Sequence, residues 1–207
     1  MRRQIPRTVS TRTVVYTALM TALVTAATLV LGFRTGDFFF NCGDAVIFVT
    51  AALFGPVPAM IAGGFGGFFA DLASYPATMF FTLGIKAAEG LVCGLLMLPF
   101  RRCRALARIP AEIAVMALSG ALMMTGYFIC NSFFYGTPAS ALAALPADAV
   151  QASVSVVAAS LLLYAARLEK LKDRFYPSRK IYEYKNHYVR EIRGGNDKTR
   201  NKENGAE

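Results

Sequence analysis

Lys86 and Glu89 stand near the middle of a long apolar run, residues 79–100. A charge at bilayer depth costs at least ~2.5–3.5 kcal/mol on insertion scales, so such residues mark function or a specific pairing. Three apart on a helix, the two share a face. That face must look into protein or a water-filled cavity, not lipid. Two readings follow: an ion pair that holds helices together, or a donor and an acceptor offered to a polar ligand. Acid–base catalysis is a third use of Lys and Glu. Yet no nucleophile–His pair, metal-ligand spacing or phosphate motif accompanies them, so no enzyme is expected.

The elements that carry these residues must be membrane helices. The 207-residue chain is 55% hydrophobic and 17% charged, with mean hydropathy +0.43, too apolar for a soluble domain of this size. The net charge of +9 is sorted into blocks, as membrane topology sorts it, and does not point to nucleic acid. Apolar runs fall at 13–31, 38–54, 56–72, 79–100, 111–134 and 148–166. A span needs about 17–20 residues, and the second run is too short to cross alone if it starts at Asp44. Arg2, Arg3, Arg7 and Arg12 precede the first run, Arg101, Arg102, Arg104 and Arg108 follow the fourth, and the tail holds most remaining bases. An all-α bundle of six transmembrane helices puts all three blocks on the cytoplasmic side, with both termini. A re-entrant hairpin over 38–72 satisfies the charges equally. The first run is too long for a signal peptide and lacks an Ala-x-Ala end. The expected organisation is a basic N-terminus over 1–12, a membrane domain over 13–168, and a basic, disordered cytosolic tail over 169–207.

Turns are expected at Gly55–Pro58, at Ser74–Pro76, and at Tyr135–Pro138, which opens a longer outer loop. The polar residues gather toward the outer side. Asp37, Asn41 and Asp44 belong to the first outer loop and its edge, and Asp71 and Tyr75 end the third span. Tyr127 and Asn131 lie toward the outer end of the fifth, and Asp148 and Gln151 open the sixth. Lys86 sits roughly 10 Å below the outer end of its helix by helix rise. The inner half reads as nearly uniformly apolar. A channel or proton relay would carry polar groups along its whole length, whereas a one-sided cluster describes a cup that binds a solute from outside. Phe38, Phe39, Phe40, Tyr75, Tyr127, Phe133 and Tyr135 can stack on a flat ring there, or form an interfacial aromatic belt.

Small residues mark close approach. Ala18, Ala22 and Ala26 make a flat stripe on the first helix, either for internal packing or for docking a membrane partner. Gly63 and Gly67 form Gly-x-x-x-Gly within the glycine cluster 63–67. That cluster is no phosphate cradle, since no Lys-Ser/Thr follows and no strand precedes it. Energy for uphill movement would come from a partner or an ion gradient. Cys42, Cys93, Cys103 and Cys130 are scattered fillers without a Cys-x-x-Cys pair, although Cys42 and Cys130 both fall near the outer face. The only histidine, His187, lies in the tail, so no His-based metal site is expected in the membrane. The tail alternates bases with Tyr176, Tyr182, Tyr184 and Tyr188, which suits anionic lipid or a cytosolic subunit.

These residues also carry a family resemblance. Asn41 to Phe48, Leu53 to Pro56, Gly63 to Gly67, Ala70 to Leu72, Ile85 to Gly94 and Leu145 to Gln151 resemble, in order, the substrate-binding S components of energy-coupling factor (ECF) vitamin transporters. The riboflavin- and pyridoxine-like subgroup is the nearest, and the match spans 13–168. The resemblance implies six helices around an outer pocket capped by the first outer loop. It implies a transmembrane coupling subunit and two cytosolic ATPases as partners, with Ala18, Ala22 and Ala26 docking the former. It implies Lys86, Glu89, Asn131, Asp148 and Gln151 as pocket positions, beside the Asn41, Asp71, Tyr75 and Tyr127 placed there by the polar distribution. Many relatives carry Asn where this chain has Asp148. An acid there would favour a ligand with a protonated nitrogen, or would pair with Lys86 and leave the pocket neutral.

The sequence thus points to a vitamin-binding subunit in the bacterial cytoplasmic membrane, without catalysis, cofactor or metal. Lys86 would orient a polar or anionic ligand group. Its alternative is a stand-alone small-solute permease.

Overall fold

A computed structural model describes residues 11–35, 38–103, 105–134 and 138–168. The basic arm up to residue 10, Asp37, Tyr135, the tail 169–207 and the side chains of Phe38, Phe39 and Phe40 lie outside the described residues. The elements in order are α1 (Thr11–Val30), β1 (Phe33–Thr35), β2 (Phe38–Phe40), α2 (Gly43–Phe54), α3 (Pro56–Ser74), α4 (Met79–Met97), α5 (Ala105–Phe134) and α6 (Pro138–Ser160). Short 3-10 turns cover Pro76–Thr78 and Pro99–Arg102, and one π turn, Leu161–Ala165, continues α6. Five helices are long and apolar enough to cross a membrane. The helical class expected from the sequence stands, with one small addition. The first loop folds as an antiparallel hairpin, Phe33 opposite Phe40 and Thr35 opposite Phe38.

The run 38–54 does not form one span. It splits because the Asn41 side chain accepts the Gly43 N–H at 3.0 Å, a local turn that starts a helix at that point. The resulting α2 has 12 residues, about 18 Å of helix against a bilayer core of about 30 Å. All of α2 except Val46 is buried. Its all-round apolarity therefore reflects enclosure by protein.

Both later helices begin earlier than the sequence reading placed them. α5 starts at Ala105 with Pro110 inside it, and α6 starts at Pro138 with Pro146 inside it. A membrane helix tolerates an internal proline when neighbouring groups satisfy the freed carbonyl. Pro138 itself takes the first helical position, where no N–H is needed. The long outer loop expected after Tyr135 is correspondingly shorter. The turn at Gly55 is as expected: φ is 94° there, a conformation that glycine adopts without strain.

The closest helix pair is α3 with α4, and glycine permits it. A Cβ at Gly63 would lie 2.6 Å from the Lys86 carbonyl oxygen, and one at Gly90 would lie 2.4 Å from that of Ala59. Both are sub-van-der-Waals distances, so the backbones touch only because the side chains are absent. α1 packs on α2 and α3, where Thr25 donates to the Gly66 carbonyl at 3.0 Å. The other four helices close a ring in which α2 meets α4, α4 meets α5, α5 meets α6 and α6 meets α2. Across the ring α4 and α6 pack little on one another, and β2 lies against α6 at the hairpin end. At the opposite end, Arg101 donates to the carbonyls of Ala51 and Ala52, both at 3.2 Å, closing the C-terminus of α2.

Candidate ligand site

Close α3–α4 packing sets the face that α4 turns toward the ring, and that face carries Lys86 and Glu89. Both are buried, at 4% and 0% exposure, which rules out a solvent-facing role. The ammonium of Lys86 pairs with Asp44 at the first turn of α2 and with Glu89 at 3.1 Å. It also stands 5.5 Å from the centre of the Tyr127 ring on α5, within cation–π range. Three helices are thus tied through one ammonium group.

Gln151 on α6 completes the circuit. Its amide donates to the second oxygen of Asp44 at 2.8 Å. Its carbonyl accepts from the backbone and side-chain N–H groups of Asn41, both at 3.2 Å. Asn41 in turn starts α2, so this connection sets the hairpin against the ring. Asp148 precedes Gln151 by one turn and Ser155 follows it by one, on the same face of α6.

A second branch leaves Tyr127. Its hydroxyl lies 3.3 Å from the Thr82 hydroxyl, which donates to Asp71 at 2.5 Å, and Thr78 donates to the same carboxylate oxygen at 3.1 Å. Asn131 lies one turn beyond Tyr127 and is half-buried. Tyr75 caps α3 through its backbone N–H and stays exposed at the rim. Asn41, Asp71, Lys86, Glu89, Tyr127 and Gln151 therefore belong to one connected network. Asp148 and Asn131 sit beside it on α6 and α5, and Tyr75 stands at its edge.

Three buried oxygens in this region have no hydrogen-bond partner among the described residues: Glu89 Oε1, Asp148 Oδ2 and Ser155 Oγ. A buried polar atom left unmatched costs about 1–3 kcal/mol, more if charged. Three around one ring mark a place where a further molecule can supply donors.

The sequence reading missed a second polar cluster. Glu112 on α5 is fully buried toward the Arg101 end. It accepts from the Tyr164 hydroxyl at 2.6 Å and stands 4.0 Å from Arg108 Nε. The half of the bundle read as uniformly apolar therefore holds a carboxylate. The signal was present in the i, i+4 spacing of Arg108 and Glu112, but starting that helix at 111 cut the pair apart. The four cysteines are free, so Cys42 and Cys130 do not pair.

Ala18, Ala22 and Ala26 are all exposed, while Thr17, Val24 and Thr28 of the same helix are buried. The small-residue stripe thus faces away from the packed interior, among exposed Val15, Leu19 and Leu23.

Comparison with known proteins adds a family to this geometry. The family described as "ECF-type riboflavin transporter, S component" matches residues 8–170. An uncharacterized protein of Pyrococcus woesei is 32% identical over 139 residues, covering 67% of this chain and 86% of that protein. The thiamine precursor transporter HmpT of Lactococcus lactis subsp. cremoris is 34% identical over 120 residues. That match covers 58% of this chain and 64% of HmpT, a little under two thirds of its length.

Proposed function

Because this chain belongs to the S-component family of ECF-type transporters, we propose that its ring of α2, α4, α5 and α6 is the cup that takes a vitamin or vitamin precursor from outside the cell. The chain is a multi-pass membrane protein that captures substrate for a transporter. In this reading both termini face the cytoplasm of a bacterial cell, the hairpin end opens outward, and α2 completes a six-helix bundle. The Arg101 end then faces inward with the basic blocks, as the positive-inside rule requires. The chain itself performs no catalysis. Uptake is driven by two cytosolic ATPases through a transmembrane coupling subunit.

The observation that carries the proposal is the buried circuit Asp44–Lys86–Glu89–Gln151–Asn41 with unmatched acceptors beside it. A purely structural ion pair would be completed by its own partners, since leftover buried acceptors only lower stability. Asn131, Tyr127, Asp71 and Tyr75 fit the rim and wall of the same cup. The exposed stripe of Ala18, Ala22 and Ala26 supports α1 as the face that meets the coupling subunit. Small residues there allow close helix approach in lipid.

The direct test is mass spectrometry of small molecules released on denaturing the detergent-purified protein. A stoichiometric vitamin-like compound is expected. Uptake by this chain alone, without coupling subunits, would overturn the reading in favour of a facilitator. Docking is tested separately: Ala22→Leu is expected to abolish co-purification with the coupling subunit while leaving ligand binding intact. Retention of both would assign the stripe to another contact.

A further inference from the structure

The charges around the ring do not balance. Asp44, Glu89, Asp71 and Asp148 contribute four carboxylates to the network and its immediate flank. Lys86 is the only cation within the network among the described residues. Arg34 on β1 is the one other Lys or Arg that residues 13–85 bring to this end, and residues 109–166 bring none. Even with Arg34 counted, acids outnumber bases by two to one.

Lys86 is also committed. Asp44 and Glu89 take its hydrogen bonds, and the Tyr127 ring covers it. An incoming anion would have to displace a buried carboxylate to reach the ammonium, and would meet three other acids. The unmatched atoms have the opposite polarity. Glu89 Oε1 and Asp148 Oδ2 can only accept while ionised, and Glu89 is wholly buried. They lie on α4 and α6, the two helices that face each other across the ring without close packing. Ser155 Oγ, two turns below Asp148, extends the column on α6.

We propose, resting on the S-component reading above, that this cup selects a neutral or cationic heteroaromatic bearing N–H or O–H donors, which Glu89 and Asp148 receive. Carboxylated and phosphorylated forms of the same rings are excluded. In this arrangement Lys86 is a positioning residue: it holds Asp44 and Glu89 in place and leaves the ligand's donors to the free oxygens. Asp148 sets the charge preference at the mouth.

The test is binding to the full-length protein in detergent, by calorimetry, with probes matched in ring and differing in charge. Suitable pairs are pyridoxamine against 4-pyridoxic acid, 4-amino-5-hydroxymethyl-2-methylpyrimidine against its 5-carboxylic acid, and riboflavin against its 5′-phosphate. In whichever pair binds, the donor-bearing member is expected to bind about tenfold or more tightly than the anionic one. Asp148→Asn is expected to narrow that ratio severalfold without lowering the melting temperature, because Asp148 Oδ2 has no hydrogen-bond partner among the described residues to lose. Glu89→Gln should weaken the donor-bearing member itself. Preference for the anionic member, or an unchanged ratio in Asp148→Asn, would overturn this inference and leave the S-component reading standing. Failure of every probe of either charge, together with no released compound in mass spectrometry, would overturn both.

Discussion

The two ends of this bundle each bury a carboxylate beside a base, and they finish the job differently. Near the Arg101 end, Glu112 accepts from the Tyr164 hydroxyl and stands 4.0 Å from Arg108 Nε, and Arg101 closes the last turn of α2. At the hairpin end, Lys86 draws Asp44 and Glu89 together, yet Glu89 and the adjacent Asp148 each keep an unmatched oxygen. The first arrangement is what helix packing needs. The second holds an incompletely satisfied polar group in a low-dielectric interior, where each unmatched atom is destabilising. The contrast lies in the carboxylate oxygens, and it is what favours the hairpin end as the proposed site.

The comparison breaks most sharply at Lys86. Lys86→Met leaves Asp44 and Glu89 buried without a cation, a loss of about 3–5 kcal/mol. A large fall in melting temperature and a loss of ligand affinity are expected, read by thermal unfolding in detergent and by calorimetry. Full affinity in this variant would remove Lys86 from the site. Adding Asp44→Asn to Lys86→Met should recover part of the stability, because it removes one of the two stranded carboxylates.

Gly90→Ala probes the same end through the backbone. Its Cβ would meet the Ala59 carbonyl at 2.4 Å, pushing α4 off α3 and displacing Lys86 and Glu89. Overpacking of this kind costs about 1–3 kcal/mol, and ligand affinity is expected to fall with it. Gly84→Ala in the same helix is the control. Nothing lies within 4 Å of its Cβ position, so helix propensity alone predicts a gain of up to about 1 kcal/mol. Equal effects from the two glycines would mean that α3–α4 contact does not position the site.

Glu112→Gln sharpens the contrast from the other side. It weakens the interactions with Arg108 and Tyr164 but keeps the size of the side chain, for a loss on the order of 1 kcal/mol. Ligand affinity should not change. A strong effect on binding would show that the two polar clusters act as one unit.

Much of this was legible in the chain itself. An apolar run with Lys86 and Glu89 at helical spacing announced a buried face, because lipid tolerates neither residue. The first, third and fourth helices lie close to where hydropathy placed them, and Gly63 serves the close approach that its motif suggested. The starts of α5 and α6 were not legible. Hydropathy started them at 111 and 148, and only neighbouring packing lets a helix run through Pro110 and Pro146. The late start at 111 hid the Arg108–Glu112 spacing. The division of 38–54 into a strand and a short buried helix was half legible: run length made a full span doubtful, but hydropathy did not show where the Asn41 side chain would start the helix.

What the sequence determined by itself was the solvent and the inventory: a chain too apolar for water, bases sorted into blocks, and a small set of ionisable residues that lipid would not accept. Only the tertiary structure decided which of those residues meet. Asp44 and Lys86 are joined across 42 positions, and Asp44 and Gln151 across 107. Hydropathy and spacing act along one helix, whereas a hydrogen bond between helices depends on how each is rotated and how closely its neighbours allow it to approach. Here α3 meets α4 through bare glycine backbone, and that contact turns Lys86 toward two acids, a pairing that its spacing in the chain did not specify.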